Sequence, residues 1–259
     1  MKEKKKETRR EFIKKSAGAA ALLSMPTIIP SSVFGANGKV SVAVIGVNGR
    51  GGSHIQGFMN LPNAEVTCLC DCDLNVLGPK AKEFETRYSK KVKQEQDLRN
   101  VFADKSIDAV SIATPNHWHA LATIWACQAG KDVYVEKPGA HNIYEGRKMV
   151  EAANKYDRIV QHGVQLRSSV AVQEAIKHLR DGLIGRVYMA RGLVFRWRGD
   201  VGKKGPGTIP QGLDYDLWTG PAEMKPFSED WVHYNWHWHW NWGNGDVGNQ
   251  GIHETDLCM

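Results

Sequence analysis

The chain has 259 residues, 42% of them hydrophobic, enough for one large domain or two modest ones. No apolar run reaches the ~20 residues of a membrane span, so the sequence offers no stable bilayer-crossing helix. A formal charge of +6 suggests a nucleic-acid binder, but residues 1–36 hold eight Lys/Arg against three Glu. The remaining body is close to neutral and has no basic footprint for a phosphate backbone.

The leader joins a basic stretch to a short apolar run and small residues near Ala36, the layout of a targeting segment. Within it, Thr8-Arg9-Arg10-Glu11-Phe12-Ile13-Lys14 resembles a twin-arginine export signal. Such a signal is read by machinery that moves already folded proteins across a membrane. A disordered basic tail is the plainer reading. Export implies a periplasmic or otherwise extracytoplasmic location, and a cofactor found only in the cytoplasm must then be captured before transit.

From residue 39, short apolar runs alternate with helical stretches. Strands are expected at 40–46, 65–71, 108–114, 132–136 and 158–164, with helices at 51–60, 74–88, 119–129 and 144–156 between them. This alternation implies a doubly wound α/β domain: a parallel sheet covered on both faces, over residues 38–163. Cys68, Cys70 and Cys72 lie two apart on one strand, a poor arrangement for disulfides, and Cys127 and Cys258 are isolated. All five read as small, mostly buried thiols of a protein folded under reducing conditions. After residue 164 a helix is expected at 170–180 and an alternating strand at 186–195, with a Gly/Pro-rich loop at 199–212. Residues 164–259 are therefore read as a substrate domain of α+β type with a mostly antiparallel sheet. One strand and two helices cannot close such a sheet, so truncation and dependence on missing strands or a partner chain are expected, with a homo-oligomer as the natural assembly.

The first strand runs into Gly46-Val47-Asn48-Gly49-Arg50-Gly51. Between strand and helix, such a turn lets backbone N–H groups and a helix N-terminus approach a pyrophosphate. Asn48 stands where the usual spacing has glycine; Asn tolerates positive φ, so the turn survives. Asp71 ends the second strand twenty residues after Gly51. An acid there accepts hydrogen bonds from a ribose diol and repels a 2′-phosphate, favouring NAD over NADP, although Arg50 is placed to counter it. Two further blocks follow strand ends, where open α/β sheets bind ligands. One is Thr114-Pro115-Asn116-His117-Trp118-His119; the other is Glu136-Lys137-Pro138. Burial there lowers a lysine's pKa and suits Lys137 to pass a proton, though alone it also reads as a solvated strand-end charge.

ATPNHWH, AGKDVYVEKP and GNQGIHETD, with the glycine turn, resemble the Gfo/Idh/MocA family of NAD(P)-dependent oxidoreductases over about residues 39–198 and 213–259. That resemblance implies a Rossmann domain, a nicotinamide cofactor and a sugar or cyclitol substrate. It implies Lys137 as catalytic lysine and His253 as active-site histidine, with nicotinamide near Thr114, Asn116, His119 and Glu136. The family's usual aspartate four positions before the histidine corresponds to Asn249, which orients a hydroxyl but takes no proton. At helical spacing, Asn249 and His253 share a face. General-base work then falls on His253 or Lys137.

Residues 234–242, YNWHWHWNW, alternate tryptophan with histidine and asparagine. Histidines 233, 237 and 239 lack a carboxylate or cysteine to complete a metal site, so no metal is expected. A tryptophan face packed on the core is the plain reading. A sugar pocket, with rings stacked on C–H faces and Asn/His edges on hydroxyls, is favoured for at least part of the stretch because it leads into Asn249 and His253. Trp240, Asp256 and Arg167 are the further substrate candidates. Three functions follow: an exported NAD-dependent oxidoreductase of sugars, cyclitols or glycosides; a redox-neutral cycle on the same cofactor; and a non-catalytic sugar-binding module.

Overall fold

A computed structural model describes residues 38–195 and 197–259; the twin-arginine stretch lies outside the described residues. Six strands form one sheet: β1 Val40–Ile45, β2 Ala64–Cys70, β3 Lys93–Glu95, β4 Ala109–Ile112, β5 Asp132–Glu136 and β6 Val160–Gly163. Their order is β3-β2-β1-β4-β5-β6, every pair parallel. Helices α1 Gly51–Met59, α2 Leu74–Tyr88, α3 Leu98–Ala103, α4 Asn116–Gln128 and α5 Ile143–Lys155 make the crossovers. This is the expected doubly wound architecture, with one unit, β3 and α3, that the sequence pattern did not reveal. The reason is local: β3 is a three-residue polar edge strand, and α3 spans six residues, too few to show a period.

Both faces of the sheet are apolar because side chains alternate along each strand. Ala43, Ile45, Cys68, Cys70, Val110, Ile112, Val133 and Val135 face α3, α4 and α5. Val44, Val66 and Leu69 face α1 and α2, against Ile55, Leu77, Ala81 and Phe84. Val66 and Leu69 share a face despite odd spacing because the register with β1 shifts between Val42 and Ala43, leaving Thr67 as a bulge. Each such fully buried aliphatic side chain contributes roughly 1.5–3 kcal/mol. All five cysteines are free thiols.

Beyond β6 come α6 Val170–Arg180, α7 Tyr215–Thr219, a 3-10 turn at Asn235–Trp238, a π turn at Val247–Gly251 and α8 Ile252–Asp256. Leu213, Tyr215, Trp218, Phe227 and Trp242 build a separate small core there. The strand expected at 186–195 is not formed: the stretch is exposed and enters no ladder among the described residues. A strand needs a neighbour for its N–H and C=O groups, and none of the described segments supplies one. The Trp/His alternation does not make a strand either. The chain coils through the 3-10 turn, so Trp242 is 2% exposed in the core while Trp240 is 88% exposed.

Candidate active site

The site forms where the carboxyl ends of β1, β2, β4 and β5 meet. Gly46 follows β1 with φ +84°, and a Cβ on it would lie 2.8 Å from the backbone of Ala113 and Thr114. A Cβ on Gly51 would lie 2.0 Å from the Gly46 carbonyl oxygen. The turn therefore closes on itself with no room for a side chain at Gly46 or Gly51, bringing backbone to the cavity edge. Asn48 does not use left-handed backbone, so the tolerance expected of it is not called upon. The first turn of α1 carries no acidic side chain, which leaves its positive dipole end unopposed.

Asp71 follows β2 and is buried. Its Oδ2 accepts from the Val47 N–H at 2.9 Å and its Oδ1 from the Asp73 N–H at 3.1 Å. Burial raises its pKa, and those two donors oppose the rise. Arg50 does not reach towards it. Its Nε donates to Glu136 Oε1 at 2.8 Å, so the guanidinium expected to offset the acid is committed elsewhere.

Glu136 is the best-held charge in the site. It accepts from Arg50, from His54 Nε2 at 3.0 Å, from Gln165 Nε2 at 2.6 Å and from the Lys137 N–H at 3.0 Å. Burial pushes its pKa up, but the His54 and Arg50 contacts outweigh that and bring it to about 2. Next to it, Lys137 Nζ donates to the Asn249 backbone oxygen at 2.7 Å and side-chain Oδ1 at 3.0 Å. Burial lowers the Lys137 pKa, opposed by Glu136. His119 is enclosed, with Nδ1 2.6 Å from Pro138 O and Nε2 2.8 Å from Thr114 O. It braces the strand ends that carry Thr114 and Lys137.

These groups surround one cavity of about 470 Å³. Of the expected residues, Gly46, Asn48, Arg50, Asp71, Thr114, Asn116, His119, Glu136, Lys137 and Asn249 line it, and Gly51 stands behind the turn. Trp240, His253, Arg167 and Asp256 do not line it. Asn249 sits in the π turn and His253 in α8. Of the two, Asn249 lines the cavity and His253 does not. His253 nevertheless feels the site: burial lowers its pKa, as does the charge of Lys137. Arg167 and Asp256 hold each other, Nε to both carboxylate oxygens at 2.9 and 2.8 Å.

The cavity also has a wall from the C-terminal part of the chain. His233, Tyr234, Trp236 and His237 line it, with Trp218 and Trp118. The Trp/His run did point to this wall, but to the wrong members, because a coil and not a strand presents it. Nothing in the sequence marked His54 or Gln165 as partners of Glu136. Among the described residues no three His, Cys, Asp or Glu gather in a metal-holding group.

Residues 40–164 match the family model described as "Oxidoreductase family, NAD-binding Rossmann fold", and residues 169–258 match its C-terminal alpha/beta domain. The chain belongs to the Gfo/Idh/MocA oxidoreductases. A glycosyl hydrolase family 109 protein of Saccharopolyspora erythraea is 30% identical over 166 residues, covering 61% of this chain and 36% of that protein. A levoglucosan dehydrogenase of Pseudarthrobacter phenanthrenivorans is 36% identical over 105 residues, covering 40% of this chain and 27% of that one. The chain thus spans about a third of the length of these Gfo/Idh/MocA relatives. The WlbA dehydrogenase of Bordetella pertussis, solved with NADH and UDP-GlcNAcA, superposes with TM-score 0.65 at 24% identity, covering 85% of this chain and 54% of that one. That likeness establishes the shared fold. The site fits the nucleotide of an NAD-binding family on its own evidence: a tight turn that admits no Cβ at Gly46 or Gly51, and a buried Thr114 Oγ1 without a partner at the cavity.

Proposed function

We propose that this Gfo/Idh/MocA chain is an exported oxidoreductase that holds NAD tightly and oxidises or reduces a hydroxyl carbon of a sugar, cyclitol or glycoside. The single observation that carries the reading is Lys137, half-buried at the end of β5, its Nζ steered by Asn249 on the wall of the cavity. The glycine turn would hold the diphosphate, Asp71 the adenosine ribose, and Thr114, Asn116 and Glu136 the nicotinamide end. Bound there, the nicotinamide supplies a carbon that exchanges a hydride with a carbinol carbon. Lys137 removes the hydroxyl proton, which its lowered pKa permits nearer neutrality than an ordinary lysine. Asn249 keeps the amine in place through two acceptors and leaves its third hydrogen position, or its lone pair, for substrate. Tyr234, Trp236 and His237 offer ring faces and an imidazole edge to a sugar. The leader motif Thr8–Lys14 supports export of the folded protein, and with it a periplasmic location.

Purified protein should release a nicotinamide nucleotide on denaturation and change its reduced-nicotinamide absorbance when sugars are added. Absence of both would overturn the proposal. A second reading, a redox-neutral cycle that cleaves a glycoside on retained NAD, is favoured by the 30% identical relative named as a glycosyl hydrolase family 109 protein. Release of free sugar without net reduction of NAD separates it from simple dehydrogenation.

A further inference from the structure

We infer that His233, oriented by Asp73, reads the adenosine ribose of the nucleotide and discriminates against a 2′-phosphate. The inference rests on the NAD reading above and names a specificity residue from the C-terminal part of the chain. The segment that carries His233 is anchored on the end of β2. The Leu74 N–H donates to Gly212 O at 3.0 Å, the Asp214 N–H to Cys72 O at 2.9 Å, and Gln96 Nε2 to Cys72 O and Gly212 O at 3.0 and 3.1 Å. Leu213 forms an antiparallel bridge with Asp73. His233 is thereby delivered to the cavity wall that also contains Asp71 and Cys72.

Its geometry defines what it recognises. Asp73 is buried at the head of α2. Its Oδ1 is used by the Asn75 N–H and Nδ2, both at 2.8 Å, and its Oδ2 lies 2.9 Å from His233 Nε2. The Asp73 oxygen accepts, so Nε2 carries the hydrogen and Nδ1 is the ring nitrogen left for a ligand. Asp71 likewise has one oxygen bound by the Val47 N–H and the other by the Asp73 N–H, with one acceptor direction left on each. The two hydroxyls of a ribose diol are donors, and Asp71 and His233 on this wall offer them acceptors. A 2′-phosphate is an acceptor with nearly two negative charges. It would meet the Asp71 carboxylate, with the Asp73 carboxylate behind His233. Of the Lys and Arg side chains that line the cavity, Arg50 is held by Glu136 and Lys137 by Asn249. The pairing of Asp73 with His233 therefore extends a recognition rule that Asp71 alone states weakly.

The test measures equilibrium binding of NADH and NADPH to the full chain by nicotinamide fluorescence, for the wild type, His233→Ala and His233→Gln. Wild type should prefer NADH. His233→Ala should weaken NADH about tenfold, the loss of one well-formed hydrogen bond with its surroundings, and change NADPH much less. His233→Gln keeps a side-chain acceptor and should fall between them; it also serves as the informative variant if the alanine protein fails to fold. Loosening of the segment alone would weaken both nucleotides equally, so the NADH/NADPH ratio is the deciding readout. An unchanged ratio in both variants, with wild type still binding NADH, overturns the role of His233 and leaves the oxidoreductase reading intact. Wild type binding neither nucleotide overturns both.

Discussion

At the scale of single residues, Asn249 changes the chemistry of Lys137. An aspartate at that position would stabilise the ammonium by direct charge; an amide oxygen positions the amine and adds none. With burial already lowering the Lys137 pKa, the neutral amine needed as a proton acceptor is reached at lower pH. Activity should therefore rise with pH through the Lys137 pKa, and Asn249→Asp should move that rise to higher pH. A pH profile of kcat/KM in oxidation checks the sign; a shift to lower pH, or none, rejects the account. Lys137→Ala should lower kcat about 10²–10⁴-fold while NADH still binds, because in the proposed mechanism the amine acts on the substrate hydroxyl rather than on the nucleotide. Parallel fluorescence titration and initial-rate measurements separate the two effects.

Among the elements, the turn after β1 and the head of α4 decide how the site is assembled. Gly46 combines φ +84° with a Cβ that would sit 2.8 Å from backbone. Gly46→Ala should thus cost about 2 kcal/mol or more in a urea titration and remove nucleotide binding, with strain and clash acting together. The head of α4 clasps the aromatic core of the C-terminal segment. His117 Nε2 lies 3.0 Å from Trp218 O, the His117 N–H donates to Trp242 O at 3.2 Å, and Trp118 Nε1 donates to Leu217 O at 2.9 Å. Burial brings the His117 pKa from 6.5 to about 4. The unfolded chain then binds a proton that the folded one refuses, so stability is complete above 6.5 and is lost as pH falls towards about 4. That loss should be of the order of 3 kcal/mol, and His117→Gln should flatten it in urea midpoints followed across this range. The strands and long helices of the first half were legible because alternation and amphipathic period survive in β1, β2, β5 and α2. Glycine and acid at fixed offsets marked the nucleotide end for the same reason. The C-terminal wall was legible as a stretch but not residue by residue: its members are placed by long-range carbonyl contacts to α4 and β2, and a coil of tryptophans carries no period that says which ring turns inward.

For the molecule as a whole, charge and cofactor pose one question. Five of the six net positive charges fall in residues 1–36, outside the domain that binds nucleotide. A basic leader of this kind reads as an address. If the address is the twin-arginine type, the chain crosses the membrane folded, and the nucleotide cleft must fill beforehand because NAD is made in the cytoplasm. The walls of that cleft come from both halves of residues 38–259, from Gly46 through Asn249, so filling it would also tie the two halves together. Guanidinium and ammonium are not equivalent to a receptor that reads geometry. Replacing Arg9 and Arg10 together by lysine should consequently leave the protein in the cytoplasm, with its charge and its nucleotide binding unchanged. Cell fractionation with an antibody to the chain reads the location, and mass spectrometry of denatured periplasmic material reads the cargo. Recovery of intact NAD from the exported wild type, together with cytoplasmic retention of the double variant, is the expected pair of results. Export that ignores the substitution, or exported protein free of nucleotide, would mean that the cleft is filled by some other route or serves another purpose.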